Sequence, residues 1–134
     1  MNIATKPTRL RGFTLVEIMI VVAIIALLAS IAVPNFLRAR KRSQAVRILE
    51  DLRQLDGATD MYAMDNSKTS GMNPNFTDLK GYIKSGSILY MTGDDVLGDS
   101  YGPFTVDSVT AVPMPAYNAL SDVAPVAFWS PYYW

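Results

Sequence analysis

The chain has 134 residues, half of them hydrophobic, and its 12 Lys and Arg balance 12 Asp and Glu to a formal net charge of zero. That length holds one domain plus a membrane segment, with no room for two domains. With no Cys and no His, disulfide staples, thiolate zinc sites, cysteine nucleophiles and histidine acid/base catalysis are excluded together.

The first 12 residues form a short basic leader carrying Lys6, Arg9 and Arg11. From Phe13 to Val33 follow 21 almost wholly apolar residues, interrupted by the small hydroxyls of Thr14 and Ser30 and by one carboxylate, Glu17. About 20 residues at about 1.5 Å each cross the roughly 30 Å hydrocarbon core of a bilayer, so this stretch spans a membrane as a helix. A charge at the centre of such a helix costs about 2.5 to 3.5 kcal/mol, and ionisable groups there usually have a partner or a function. Glu17 either reaches headgroup water from its place near the helix start or needs a partner. Within the span Ala23, Ala26, Ala29 and Ser30 give a small-residue face, and Ala26 with Ser30 has the spacing that lets helices approach closely in lipid.

Gly12-Phe13-Thr14-Leu15-Val16-Glu17, behind a basic leader and ahead of an apolar helix with Pro34 at its far end, resembles the amino-terminal signature of type IV pilins and type II secretion pseudopilins. The resemblance covers roughly the first 65 residues. It implies that a membrane prepilin peptidase and methyltransferase cuts after Gly12 on the cytoplasmic side and methylates the new amine of Phe13. It also implies that this ammonium pairs with Glu17 of a neighbouring subunit, so that Phe13 and Glu17 set register in a filament. Stranding one member of a buried ion pair costs about 3 to 5 kcal/mol, so misregistered packing is penalised. The implied partners are identical or related pilin subunits, an inner-membrane assembly platform and the membrane. The implied location is the bacterial inner membrane, single-pass with the amino terminus cytoplasmic, and then a periplasmic or extracellular filament. The absence of Cys departs from the disulfide-closed carboxy-terminal loop of many pilins and leaves a pseudopilin or a minimal pilin.

Two other readings fit the amino terminus less well. Ser30-Ile31-Ala32 offers a signal-peptidase site, but the apolar run is too long for a secretory signal and Glu17 is misplaced in it. A plain uncleaved anchor explains the length and leaves the Gly12-Phe13 junction with Glu17 unexplained.

Beyond the span, Pro34 removes a backbone donor and predicts a helix kink. Arg38, Arg40, Lys41 and Arg42 follow, so basic residues flank both ends of the span and the positive-inside rule gives no orientation. A chain beginning at Phe13 holds nine basic and 12 acidic residues, a formal net of −3 before its amine. From Ala45, the apolar positions Ile48, Leu49, Leu52, Leu55, Ala58 and Tyr62 recur at helical spacing with charged residues between them. An amphipathic continuation over 35–66, with one buried face, is the expectation. Turn-rich Asp65 to Gly71 ends it. Thr77 to Ile83 reads as a short helix with Thr77 as N-cap. Strand candidates are Ser87 to Met91, Gly102 to Asp107, Val109 to Val112 and Val126 to Ser130, separated by Gly, Pro and Asp turns. The predicted fold class is α+β: a leader (1–12), a membrane helix (13–34), its amphipathic half (35–66) and a small head (67–134) in which three to four antiparallel strands pack on the helix.

Three features of the head bear on chemistry. Asp94, Asp95 and Asp99 sit in a glycine-bearing loop, and hard cations such as calcium prefer such oxygen ligands, although the spacing is not that of an EF-hand and a solvated turn explains it more simply. No other metal site and no cofactor is expected, and nothing beside the adjacent Asp94 and Asp95 suggests a catalytic pair. The aromatic carboxy-terminal segment, with Phe128, Trp129, Tyr132, Tyr133 and Trp134, either closes the head's core or forms a patch for a partner, with Phe128 and Trp129 expected inside. Competence pilins take up DNA, yet beyond Arg42 five basic residues face eleven acidic ones, so no nucleic-acid binding is expected. The reading is a non-enzymatic filament subunit. Its alternatives are a membrane-anchored periplasmic binding protein that never polymerises, or a DNA-uptake pilin.

Overall fold

The computed structural model describes residues 12–133; Met1 to Arg11 of the leader and Trp134 lie outside them. One helix, α1 (Leu15–Asp65, 51 residues), runs through both compact units into which the chain divides, one reaching to Phe36 and the other starting at Leu37. It passes through Pro34 without interruption. Lacking an N–H, Pro34 leaves the carbonyl of Ser30 without its usual donor four residues on. Ser30 Oγ turns back instead and donates to the carbonyl of Leu27 at 2.7 Å.

In the first unit every described residue is exposed. Ile18, Val22, Ile25 and Leu28, on successive turns, are all at least half exposed. The second unit reverses this. Ala45, Ile48, Leu52, Leu55 and Ala58 are fully or almost fully buried, at spacings of three or four that place them on one face of α1. Leu49 and Tyr62 pack at its edges. Against this face lie Leu79, Ile83, Leu89, Tyr101, Phe104, Val112, Ala116, Leu120, Ala124 and Trp129. Each fully buried Leu or Ile contributes about 1.5 to 3 kcal/mol, so α1 is both the longest element and the floor of the core.

The head built on this floor is helical. It comprises α2 (Phe76–Leu79) running into a 3-10 turn (Lys80–Tyr82), α3 (Ile88–Thr92), α4 (Met114–Leu120) and α5 (Val126–Trp129). The expected antiparallel sheet is absent among the described residues, where β pairing is confined to the isolated bridges Asp94 with Ser100 and Thr105 with Ser108. Each strand candidate failed for a local reason. Ser87 Oγ accepts from the Tyr90 N–H at 3.0 Å, and left-handed Gly93 closes the other end, so Ser87 to Met91 coils into α3. Pro125 accepts from Phe128 N–H and turns Val126 to Ser130 into α5. Gly102 to Asp107 does alternate, with Phe104 and Val106 buried and Asp107 exposed. Val106 pairs only with the edge residues Gly71 and Met72, however, and Asp107, at φ 61°, bends the chain away. In Val109 to Val112, Val112 N–H donates to the Tyr132 carbonyl, a single bond where a ladder was expected. The short helix predicted at Thr77 begins one residue earlier, with Asn75 as N-cap: Asp78 Oδ2 accepts from the Asn75 N–H at 3.0 Å.

The carboxy-terminal aromatics close the core. Trp129 is fully buried, its indole N–H donating to the Ala124 carbonyl at 3.1 Å, and Tyr132 is buried with it. Phe128 is half-buried, edge-on to Trp129, with the Arg42 guanidinium 5.4 Å from its ring centre. The same turn of α1 is tied to this segment twice more. Lys41 Nζ contacts both carboxylate oxygens of Asp122 at 3.0 Å, and Arg42 Nη1 donates to the Val123 carbonyl at 3.0 Å.

Gly93 is where the head is least tolerant of a side chain. At φ 74° a non-glycine residue is strained, and an added Cβ would stand 3.0 Å from Cε1 of Phe76. Gly93→Ala is therefore expected to destabilise the head by about 1 to 3 kcal/mol, read as a lower thermal midpoint of the detergent-solubilised protein with α1 helicity intact.

Candidate functional site at the start of the long helix

The residues singled out at the amino terminus meet where α1 begins. Gly12, Phe13 and Thr14 precede the helix in non-helical backbone, and Phe13 is 86% exposed. Thr14 is the N-cap: its Oγ1 accepts from the Glu17 N–H at 3.2 Å. Glu17 reaches back, and its Oε2 accepts from the Thr14 N–H at 2.7 Å and from Thr14 Oγ1 at 2.9 Å. This reciprocal arrangement is a capping box, in which two of the helix's unpaired N–H groups are satisfied by the side chains at its first turn. It also sets the carboxylate against the positive end of the helix dipole. Gly12, Phe13, Thr14 and Glu17 line one open concavity.

Two details of this end bear on chemistry. The hydrogen bonds of the Glu17 carboxylate among the described residues both fall on Oε2, and Oε1 carries none of them. Gly12 has nothing within 4 Å of the place its Cβ would occupy and no left-handed backbone, so the fold itself does not require glycine there. The capping pair was overlooked at the level of sequence although its signal, Thr14-x-x-Glu17 ahead of an apolar run, is present. The partner sought for Glu17 is, in the single chain, its own helix start.

The acidic loop of the head behaves differently. Asp95 turns inward and is 4% exposed, its Oδ1 accepting from the N–H groups of Leu97 and Asp99 at 2.8 and 2.9 Å. Asp94 Oδ1 accepts from the Ser100 hydroxyl at 2.6 Å. Two of the three carboxylates therefore close the loop on itself, and no group of three or more acidic residues converges as a metal-ligand set among the described residues. Asp95 Oδ2 is buried with no hydrogen-bond partner there. Desolvation pushes the Asp95 carboxyl above the usual range, against the pull of its loop N–H bonds. On α1, desolvation likewise raises Asp51, which accepts from the Tyr101 hydroxyl at 3.2 Å.

A family of sequence models described as the prokaryotic N-terminal methylation motif matches residues 8–33, the stretch that holds this capping pair. The type II secretion system core protein G of Klebsiella pneumoniae is 47% identical over 60 residues, covering 45% of this chain and 43% of that protein. The amino-terminal segment thus carries this motif and is similar to that of core protein G. Core protein G of Escherichia coli is 45% identical over 56 residues, covering 42% of this chain and 39% of its own length. The type IV wide pilus major component PilA4 of Thermus thermophilus is 44% identical over 57 residues, covering 42% of this chain and 44% of its own. The chain thus spans about two fifths of the length of these relatives. No solved structure matches it.

The buried carboxylates give the chain a pH signature. Asp95 and Asp51 titrate higher folded than unfolded, so they favour the fold most when protonated, and that contribution is lost as pH rises through their raised pKa values. Acidification from neutral pH into the carboxylate range is expected to raise the thermal midpoint of the head, and Asp95→Asn, which keeps the accepting oxygen, to flatten that dependence.

Proposed function

We propose that this chain is the structural subunit of a type IV pilus-like or type II secretion pseudopilus filament, cut between Gly12 and Phe13 and polymerised through α1. The observation that carries the reading is the capping pair itself. A carboxylate is held at the first turn of the exposed apolar half of α1, four residues after the Phe13 of a Gly-Phe bond that lies outside the helix.

In this reading the peptidase reads glycine because it leaves the backbone unobstructed; the fold has no use for it. Cleavage places an ammonium on Phe13, one residue from the Thr14 N–H that Glu17 already binds. Glu17 Oε1 is then the acceptor for the methylated amine of a neighbouring subunit, while Oε2 remains capped by Thr14. In lipid the exposed apolar surface of α1 anchors the chain, and on assembly the same surface becomes the filament core. The basic leader on the cytoplasmic side, the peptidase and methyltransferase, sister subunits and an inner-membrane assembly platform complete the pathway. The protein's role is mechanical, with no reaction of its own.

Loss of the buried partner is expected to cost about 3 to 5 kcal/mol per contact. Glu17→Ala should therefore abolish filaments while leaving the chain resistant to carbonate extraction from membranes. Gly12→Val should leave a full-length precursor carrying its leader, and mass spectrometry of the native protein should find a chain beginning at methylated Phe13. Filaments of undiminished yield from Glu17→Ala, or a native chain that keeps Met1 to Gly12, would sink the reading in favour of an anchored domain that does not polymerise.

A further inference from the structure

The four cations that follow the apolar span divide into two pairs with different tasks. Lys41 and Arg42 are committed to the head through Asp122, the Val123 carbonyl and the ring of Phe128. Arg38 and Arg40 are exposed, and neither makes a hydrogen bond, ion pair or ring contact among the described residues. Two guanidinium groups thus stand without a partner among the described residues, at the point where α1 ceases to be apolar. Phe36 and Leu37, just before them, are 69% and 51% exposed.

From this we infer that Arg38 and Arg40 bind the phosphates of anionic phospholipids, in whichever leaflet the apolar part of α1 ends. Depth supports it: from Leu15 to Leu37 the helix rises about 33 Å, close to the thickness of a hydrocarbon core, so the next turn lies among the headgroups. The geometry of the pair supports it as well. At about 100° per residue the two arginines point about 200° apart around α1. One protein surface docking on α1 would meet one of them and miss the other, whereas headgroups surround a crossing helix on every side. Arg38 shares its face with Arg42, four residues on, and so lies on the side that carries the head, while Arg40 faces away. Arginine suits the task because its planar fork engages phosphate oxygens two at a time and stays charged, and its stem lies along the apolar residues before it. This assignment needs only that the chain sits in a bilayer, and it stands apart from whether the chain polymerises.

The test is lipid selectivity of the full chain in nanodiscs made from equal parts phosphatidylcholine and phosphatidylglycerol, read by native mass spectrometry of the lipids retained on ejection. The chain should retain phosphatidylglycerol several-fold over phosphatidylcholine. R38Q/R40Q should bring that ratio to near parity, and K41Q, which removes the exposed pair with Asp122 but leaves both arginines, should keep it. Parity for the unaltered chain, or undiminished selectivity in R38Q/R40Q, would overturn the inference. So would an R38Q/R40Q chain that keeps its lipids and instead loses self-association in neutral detergent, because the arginines would then face a second copy. Carbonate extraction of each variant, run alongside, shows whether the chain is inserted; a chain released by carbonate overturns the membrane premise and the inference with it.

Discussion

The structure depends on a carboxylate that has to live at the edge of an apolar helix. A bare Glu17 in lipid would be expelled or protonated, and an uncapped α1 would begin with unpaired N–H groups in a medium that offers them no water. The reciprocal bonds between Thr14 and Glu17 answer both problems at once. The charge is dispersed into the helix start, and the helix gains a defined first residue. A side chain that is costly alone becomes an inexpensive feature of the helix start, and one carboxylate oxygen is left without a hydrogen bond among the described residues.

The same helix is asked to satisfy two solvents. Up to Leu37 its side chains are exposed all round, as suits lipid or identical helices; from Ala45 it shows one buried face and one charged face. Lys41 and Arg42 mark the change, fastening the carboxy-terminal segment to the helix just before the buried face begins. The exposed Lys41 pair contributes at most about 1 kcal/mol, so the segment is held mainly by Trp129, Leu120 and Ala124 within the core. The cations fix where it sits more than how firmly.

Much of this was legible in the residues. The apolar span, its length and the buried face at Ile48, Leu52, Leu55 and Ala58 follow from hydropathy and from a period of three to four sustained over many turns. The head was harder because its elements are four to seven residues long, where apolar runs do not distinguish a helical turn from a strand. Capping decided each case: Ser87 with Gly93 made a helix of a run that reads as a strand, and Pro125 did the same for Val126 to Trp129. At Phe104 and Val106 the alternation was read correctly, and what was missing was a neighbouring strand to pair with. Asp95, placed with Asp94 and Asp99 in a solvated or cation-binding loop, turned out to be an internal cap, a role set by contacts that sequence spacing does not carry.

Because Trp129 and Tyr132 sit in the core, the chain has a committed segment near each end: one written for the membrane and one holding the head shut. Neither tolerates added sequence well. The stretch between α1 and α2 is the opposite case, with residues 64–73 all exposed and Gly71 already at a positive φ. Loops of this kind absorb insertions at small entropic cost. Lineages of this molecule are therefore free to diversify their surface between Ser67 and Ser70, and a peptide placed there for labelling or display would ride on the chain without touching the apolar half of α1 or the Trp129 ring that closes the head.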